Sequence, residues 1–239
     1  MIEIKNLTKS FGDVKAVNGL TLEINDGEIF ALLGLNGAGK STTIKILCSL
    51  LNKDGGTVKI NGLDLDKDEK AIKRLIGLSP QETAVAPNLT VEENLKFIAD
   101  LYDIKDKNAV GEMIEKFSLG AKCKTLAKKL SGGQKRRLSL AMAFIVQPKI
   151  LILDEPTLGL DIKVRRDLWR LIQEAAENST VILTTHYLEE AEALSNRIGI
   201  MKNGEIVALG TAKEITQKSG AATFEDAFLS LAGSDTDDE

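Results

Sequence analysis

Gly34-Leu35-Asn36-Gly37-Ala38-Gly39-Lys40-Ser41 follows the apolar run 29–33 and precedes a helix expected over 41–50. A strand, a glycine-rich turn and a helix in that order satisfy the phosphate-loop pattern in the context that gives it meaning. The glycines let the backbone wrap a phosphate with N–H groups, while the next helix presents the positive end of its dipole. Lys40 can reach the β and γ phosphates, and the Ser41 hydroxyl can bind the Mg²⁺ that bridges them. Asn36, Ala38 and Thr42 complete the candidate nucleotide-contacting set. An ordinary glycine-rich turn has no reason to keep this spacing between a strand and a helix.

A strand that feeds a helix in this way belongs to a parallel sheet with crossover connections. The later chain repeats the theme: apolar strand 150–153, helix 161–177, strand 180–184 and helix 188–194. Asn203-Gly204 is a tight-turn signal joining 197–201 to 205–209, and short helices over 212–218 and 224–231 follow. The first third also holds short strands at 1–7, 20–24 and 57–60, separated by Gly12-Asp13, Asp26-Gly27 and Gly55-Gly56 turn signals. Thr90 and Glu93 form a capping-box pattern ahead of Val91, Leu95, Ile98, Leu101 and Tyr102 at helical spacing. The stretch from about 82 onward therefore reads as an inserted helical subdomain.

Asp154 ends the run Ile150-Leu151-Ile152-Leu153, so it should emerge at the carboxyl end of a buried parallel strand, where such sheets bind ligands. That places a carboxylate beside the phosphate loop as a Mg²⁺ partner, reached through water because Mg²⁺ dehydrates reluctantly. Glu155 points elsewhere and can orient and polarise an attacking water. Two solvated acids opening a loop are the plain alternative, which the phosphate loop makes much weaker. His186 is the sole histidine. A lone His is commonly a hydrogen-bonded structural group, but its place after the apolar strand makes it a candidate donor to the γ-phosphate.

The chain carries 31 Lys plus Arg against 35 Asp plus Glu. Asp235, Asp237, Asp238 and Glu239 crowd the last residues, so the remaining body is neutral and lacks the clustered cations that nucleic acid binding needs. Residues 233–239 are expected to be a solvated, disordered acidic tail. Cys48 and Cys123 have no metal or disulfide spacing, which fits a reducing compartment. The longest apolar run, Leu140 to Val146, is far short of the roughly 20 residues that span a bilayer. No secretory signal pattern opens the sequence. Any membrane role must therefore use another chain.

Leu130-Ser131-Gly132-Gly133-Gln134-Lys135-Arg136-Arg137 narrows these possibilities. Its Ser-Gly-Gly opens a helix expected to run to residue 146, giving a hydroxyl and free backbone N–H groups as a second anion site. The segment resembles the ABC signature, and with the other motifs the chain is similar to ABC ATPases over residues 1–232. That resemblance implies an α/β fold with a P-loop NTPase core built on a parallel sheet, an N-terminal antiparallel β subdomain and an inserted α-helical subdomain at about 82–148, all in one domain. It also implies a twofold pair, either a homodimer or a pairing with a second ABC ATPase. ATP would lie between the phosphate loop (Gly34, Gly37 and Gly39 among its members) of one subunit and Ser131, Gly132, Gly133 and Gln134 of the other.

The resemblance assigns further roles. Gln81 falls at the Q-loop glutamine that senses Mg²⁺ and couples to the membrane subunit; a plain polar loop residue is the alternative. Asp161 matches the D-loop aspartate near the dimer contact, or else caps a helix. Phe11 stands where the family places an aromatic that stacks on adenine, although a core aromatic would look the same. Leu158 and Ile162 replace a polar residue and a proline common there. Between Glu115 and Asp154 the chain is locally positive, with Lys135, Arg136 and Arg137 among the cations; part of that charge could face ATP or lipid head groups, and a solvated face accounts for most of it.

The implied function is the ATP-binding and hydrolysing subunit of an ABC transporter, powering export through a separate transmembrane permease from the cytoplasmic face of the membrane. The export reading rests on the Thr223–Leu229 and Pro87–Val91 runs, which look like drug-resistance and other export members. An importer subunit, a non-transport ABC ATPase and a passive nucleotide sensor are the rivals. Repair relatives carry long coiled coils and translation factors usually two cassettes, neither of which is here, and intact Glu155 and His186 speak against a passive sensor.

Overall fold

The computed structural model describes residues 1–233. Past Gly233, the acidic tail lies outside the described residues. The first elements are β1 (Ile2–Phe11), β2 (Val14–Ile24), β3 (Ile29–Leu33), α1 (Lys40–Leu47), β4 (Gly55–Ile60) and β5 (Leu63–Asp64). Next, α2 (Glu69–Leu75) runs straight into β6 (Ile76–Ser79), and α3 (Val91–Leu101), α4 (Ala109–Lys116) and α5 (Gly132–Phe144) follow. The remainder alternates: β7 (Ile150–Asp154), α6 (Ile162–Ala176), β8 (Thr180–Thr184), α7 (Leu188–Leu194), β9 (Arg197–Lys202), β10 (Glu205–Gly210), α8 (Ala212–Ser219) and α9 (Phe224–Ala232).

Two sheets form. An antiparallel one runs β2-β1-β4-β5, and a mixed one runs β10-β9-β3-β8-β7-β6. In the second, neighbours from β9 to β6 are parallel and only β10 is antiparallel. The central strands β3, β8 and β7 of the mixed sheet are buried on both faces, and they divide their side chains between two cores. Ala31, Leu33, Leu151, Leu153, Val181 and Leu183 join a core shared with the helices. Phe30, Leu32, Ile150, Ile152 and Ile182 join a second core shared with α1 and the antiparallel sheet. Continuous apolar runs such as Ile150-Leu151-Ile152-Leu153 are what two-sided burial requires. Each such side chain contributes about 1.5–3 kcal/mol on burial.

Expectation and structure differ in places. The strands foreseen at 1–7 and 20–24 are parts of a long hairpin turning at Gly12-Asp13, whose irregular register masks the alternation that would mark its outer half. The helices foreseen over 41–50 and from Ser131 to 146 end earlier, at Leu47 and Phe144. Sequence reading missed α2 and β6. Four residues with a glycine among them carry too little pattern, and β6 exists because β7 offers it a parallel partner, with Ile76 opposite Ile150 and Ser79 opposite Leu153. The Thr90 cap is as foreseen: the Glu93 amide donates to the Thr90 hydroxyl at 3.2 Å, and the Thr90 amide donates to the Glu93 carboxylate at 2.8 Å.

The inserted helices reach the sheet through α5, which packs on β6. At that contact Gly77 leaves no room for a side chain: an added Cβ would press on the Ala143 carbonyl and come within 2.8 Å of Pro148 Cγ. Gly77→Ala is expected to cost about 2 kcal/mol through overpacking, read as a lower urea midpoint with an unchanged slope. Gly62→Ala is no control, because Gly62 sits at φ 79°, whereas exposed Gly111→Ala, with open space at its Cβ position, should not lose stability.

Candidate nucleotide site

β3 delivers the chain into the glycine loop. Gly39, at φ 105°, is the residue before α1, and a Cβ there would strike the Ala16 carbonyl and approach Met201 Cε to 2.8 Å. Only glycine lets the loop turn this close to β2 and β9. α1 begins with no side-chain cap and no acidic residue in its first turn, so its opening amides remain available to an anion. The loop is braced from behind: the Gly204 amide, in the β9–β10 turn, donates to the Ala38 carbonyl at 3.0 Å, and the Asn18 amide donates to Gly204 at 2.9 Å.

Lys40 is folded over its own loop. Its ammonium donates to the Gly34 carbonyl at 2.6 Å and the Leu35 carbonyl at 3.1 Å. Burial lowers its pKa, opposed by the nearby Glu155 and Asp154 carboxylates. A desolvated cation among carbonyls is ready to exchange them for a charged acceptor, which makes the stronger hydrogen bond.

Asp154 is buried at the end of β7, and its carboxylate accepts a hydrogen bond from the Thr184 hydroxyl at the end of β8. Glu155 then leaves the strand at φ 50°, and its amide donates to the Thr184 carbonyl at 3.0 Å. A left-handed conformation costs a non-glycine residue about 1–2 kcal/mol. Here it swings the Glu155 carboxylate out toward the glycine loop. Gln81 Nε2 donates to Glu155 Oε2 at 3.2 Å, and His186 Nδ1 lies 3.4 Å from Oε1. Gln81, expected in a loop, and His186, expected after a strand, thus meet at the Glu155 carboxylate.

A cleft of about 280 Å³ is lined by the loop residues Asn36 to Thr42 together with Phe11, Ala16, Gln81 and Glu155. Phe11 is 52% exposed at its mouth, with the Lys9 ammonium 5.5 Å from the ring centroid. It is a surface aromatic, not a core one. Ser131, Gly132, Gly133 and Gln134 are absent from the lining of this cleft and stand at the start of α5. There the Ser131 hydroxyl accepts from the Gln134 amide at 3.3 Å and the Gln134 side chain accepts from the Ser131 amide at 3.0 Å. Asp161 likewise lies outside the cleft and caps α6, accepting from the Val164 amide at 3.0 Å. The candidate residues therefore separate into a phosphate-loop group and a helix-start group.

The sequence pattern of the ABC transporter family matches residues 17–158. The chain belongs to the ABC transporter family. It is 37% identical to the linearmycin resistance ATP-binding protein of Bacillus subtilis (strain 168), an alignment covering 94% of this chain and 73% of that protein. It is 38% identical to the daunorubicin/doxorubicin resistance ATP-binding protein of Streptomyces peucetius, covering 92% and 68%. Among solved structures, the ATP-binding subunit of an ABC transporter superposes with a TM-score of 0.90 at 29% identity, covering 97% of this chain and 99% of that one. A dimeric ATP-binding cassette in a post-hydrolysis state, bound to ADP and Pi, superposes at 0.82 with 28% identity, covering 88% and 98%. The architecture described above is thus the ABC ATPase fold.

Within this ABC fold, Glu28, Arg136 and Glu190 are buried charges that escaped the sequence reading, the last two beside the candidate site. Arg136, counted with the solvated cations of the locally positive stretch, is only 4% exposed. Its guanidinium donates to main-chain carbonyls on two loops. The usable signal was its helical register, which it shares with buried Ser139, Leu140 and Ala143. Glu190 is wholly buried on α7 and accepts from Trp169 Nε1 at 3.1 Å. Burial pushes its pKa up, while the Trp169 hydrogen bond and the charge of Arg165 oppose that.

Because folded Glu190 holds its proton more tightly than an unfolded carboxyl, its contribution is favourable at low pH. That contribution is lost as pH rises from the ordinary value of 4.5 through the raised one. Glu190→Gln keeps an acceptor for Trp169 and removes the titration. Thermal unfolding across pH should therefore show the variant gaining on the unsubstituted chain as pH rises, and parallel curves would contradict the assignment.

Proposed function

We infer that this chain hydrolyses ATP as one half of a dimer and so powers export through a separate transmembrane subunit. The observation that carries the reading is the separation of its two anion-binding ends. The glycine loop, Lys40, Gln81 and Glu155 converge on one cleft, and His186 stands behind Glu155. Ser131 and Gly132 are exposed at the start of α5, which has no acidic residue in its first turn. A second copy, related by a twofold axis, brings its helix start to the first copy's cleft and receives the same in return. The dimeric cassette among the similar structures supports this arrangement.

Ser41, Asp154 and Gln81 would hold Mg²⁺. Their donors are all hard oxygens, and among the described residues no cluster of three His, Cys, Asp or Glu forms a metal cage. One carboxylate with a hydroxyl and an amide suits an ion that keeps most of its waters and phosphate oxygens. When bound, such an ion neutralises charge on the β and γ phosphates. The chain's own residues do the rest. Lys40 leaves the Gly34 and Leu35 carbonyls for phosphate oxygens, Glu155 orients the attacking water, and His186 donates to the γ-phosphate. Phe11 offers its exposed face to the adenine.

No helix among the described residues is long and apolar enough to cross a membrane. A groove of about 300 Å³ runs between α3, α5 and β6 and includes Pro80, next to Gln81, in its wall. Leu50, Phe97 and Leu101 are 62%, 56% and 65% exposed around the same region. An apolar surface adjoining Gln81 supports a docked transmembrane partner at the cytoplasmic face, and the drug-resistance relatives support export as the direction. The inserted helices, about 82–148 of a single domain 1–232, share this surface with Leu50 and β6.

Glu155→Gln should lower kcat by at least about 100-fold, the scale of a lost water-orienting base, with ATP binding retained. Lys40→Ala should weaken ATP binding by about tenfold or more, the loss expected for one charge-assisted hydrogen bond. Light scattering on ATP-loaded Glu155→Gln should give twice the monomer mass; a persistent monomer would sink the shared-site reading.

A further inference from the structure

We propose that Arg136 is a positioning residue that couples the two ATP sites of the dimer, by tying the helix start that meets the partner's nucleotide to the two loops that act on the chain's own.

All the guanidinium donors are engaged. Nε donates to the Pro156 carbonyl at 3.1 Å, one terminal nitrogen to Pro80 at 2.5 Å and Gln81 at 3.3 Å, and the other to Asp154 at 2.5 Å and Glu155 at 2.6 Å. Five carbonyl oxygens facing one point repel one another unless a cation sits between them. A planar fork with five donors fits that demand, and a lysine ammonium with three does not. Two of the acceptors belong to the Gln81 loop and three to the end of β7.

The same side chain is fixed to α5 five residues after Ser131, roughly 7–8 Å along the helix axis. A helix is rigid over that length, so a displacement of Ser131 carries Arg136 with it. The guanidinium also holds the carbonyl of Glu155, the residue kept at φ 50°. A strained conformation persists only when its surroundings over-determine it. Arg136 is the cation that does so here, and through it the aim of the Glu155 carboxylate depends on where α5 lies. Occupation of the partner's cleft thereby adjusts Gln81 and Glu155 in the chain's own cleft.

The inference rests on the shared-site dimer proposed above, and one experiment separates the two. Hydrogen exchange is followed in Glu155→Gln with and without ATP, alongside the double variant Glu155→Gln/Arg136→Lys. In the first, amides at the start of α5 and in segments 79–82 and 154–158 should slow together by at least tenfold. In the double variant, the dimer should form and the start of α5 should still slow, while the two loops lose most of their protection. Arg136→Lys alone should turn over ATP at least tenfold more slowly with ATP affinity changed less than twofold, a split that a general loss of packing would not give. Wild-type turnover in Arg136→Lys, or loops that respond to ATP as before in the double variant, overturns the coupling. Failure of Glu155→Gln to dimerise overturns the shared site and the coupling with it. Should Arg136→Lys not fold, Arg136→Gln replaces it. Should neither fold, protection of α5 without the loops in Glu155→Gln itself overturns the proposal.

Discussion

Leu32 lies opposite Thr184 in the pairing of β3 with β8, and Thr184 lies opposite Asp154 in the pairing of β8 with β7. That register sets the level at which three strands end. The glycine loop, the Asp154-Glu155 pair and the His186 segment leave the sheet side by side because their strands stop in step. A slip of one residue in either ladder would turn every side chain on a strand to the opposite core. Two-sided burial forbids such a slip, so the geometry of the cleft is fixed by packing far from it.

The local motifs were readable because each states its own chemistry in consecutive residues. Gly34 to Ser41 specifies a turn that only glycines allow, and the apolar run before Asp154 announces a strand end. Capping at Thr90, Ser131 and Asp161 follows from residue type and spacing alone. What could not be read depends on who stands opposite. β6 is a strand only because β7 pairs with it. Arg136 looked like one cation among several until five carbonyls from distant loops surrounded it. Phe11 shows the same limit in reverse, since stacking and burial ask for the same side chain and only its exposed position at the cleft distinguishes them.

Two of the buried charges share one trait. Arg136 from α5 and Glu190 from α7 approach the exit of β7 from different elements, and both are removed from solvent. Charges in such positions contribute little net stability. Their bonds are nonetheless directional: Arg136 ties the residues after β7 to Pro80 and Gln81, and Glu190 ties α7 to Trp169 on α6.

Gly204 under Ala38, and β9 beside β3, have a consequence for biosynthesis. The strand and turn that brace the loop leave the ribosome well after it, 166 residues on by the count from Ala38 to Gly204. Contacts so far apart close slowly. A nascent chain that has not yet reached Gly204 therefore carries the full glycine motif without the scaffold that shapes it, and competence to hold nucleotide waits for β9 and the turn after it.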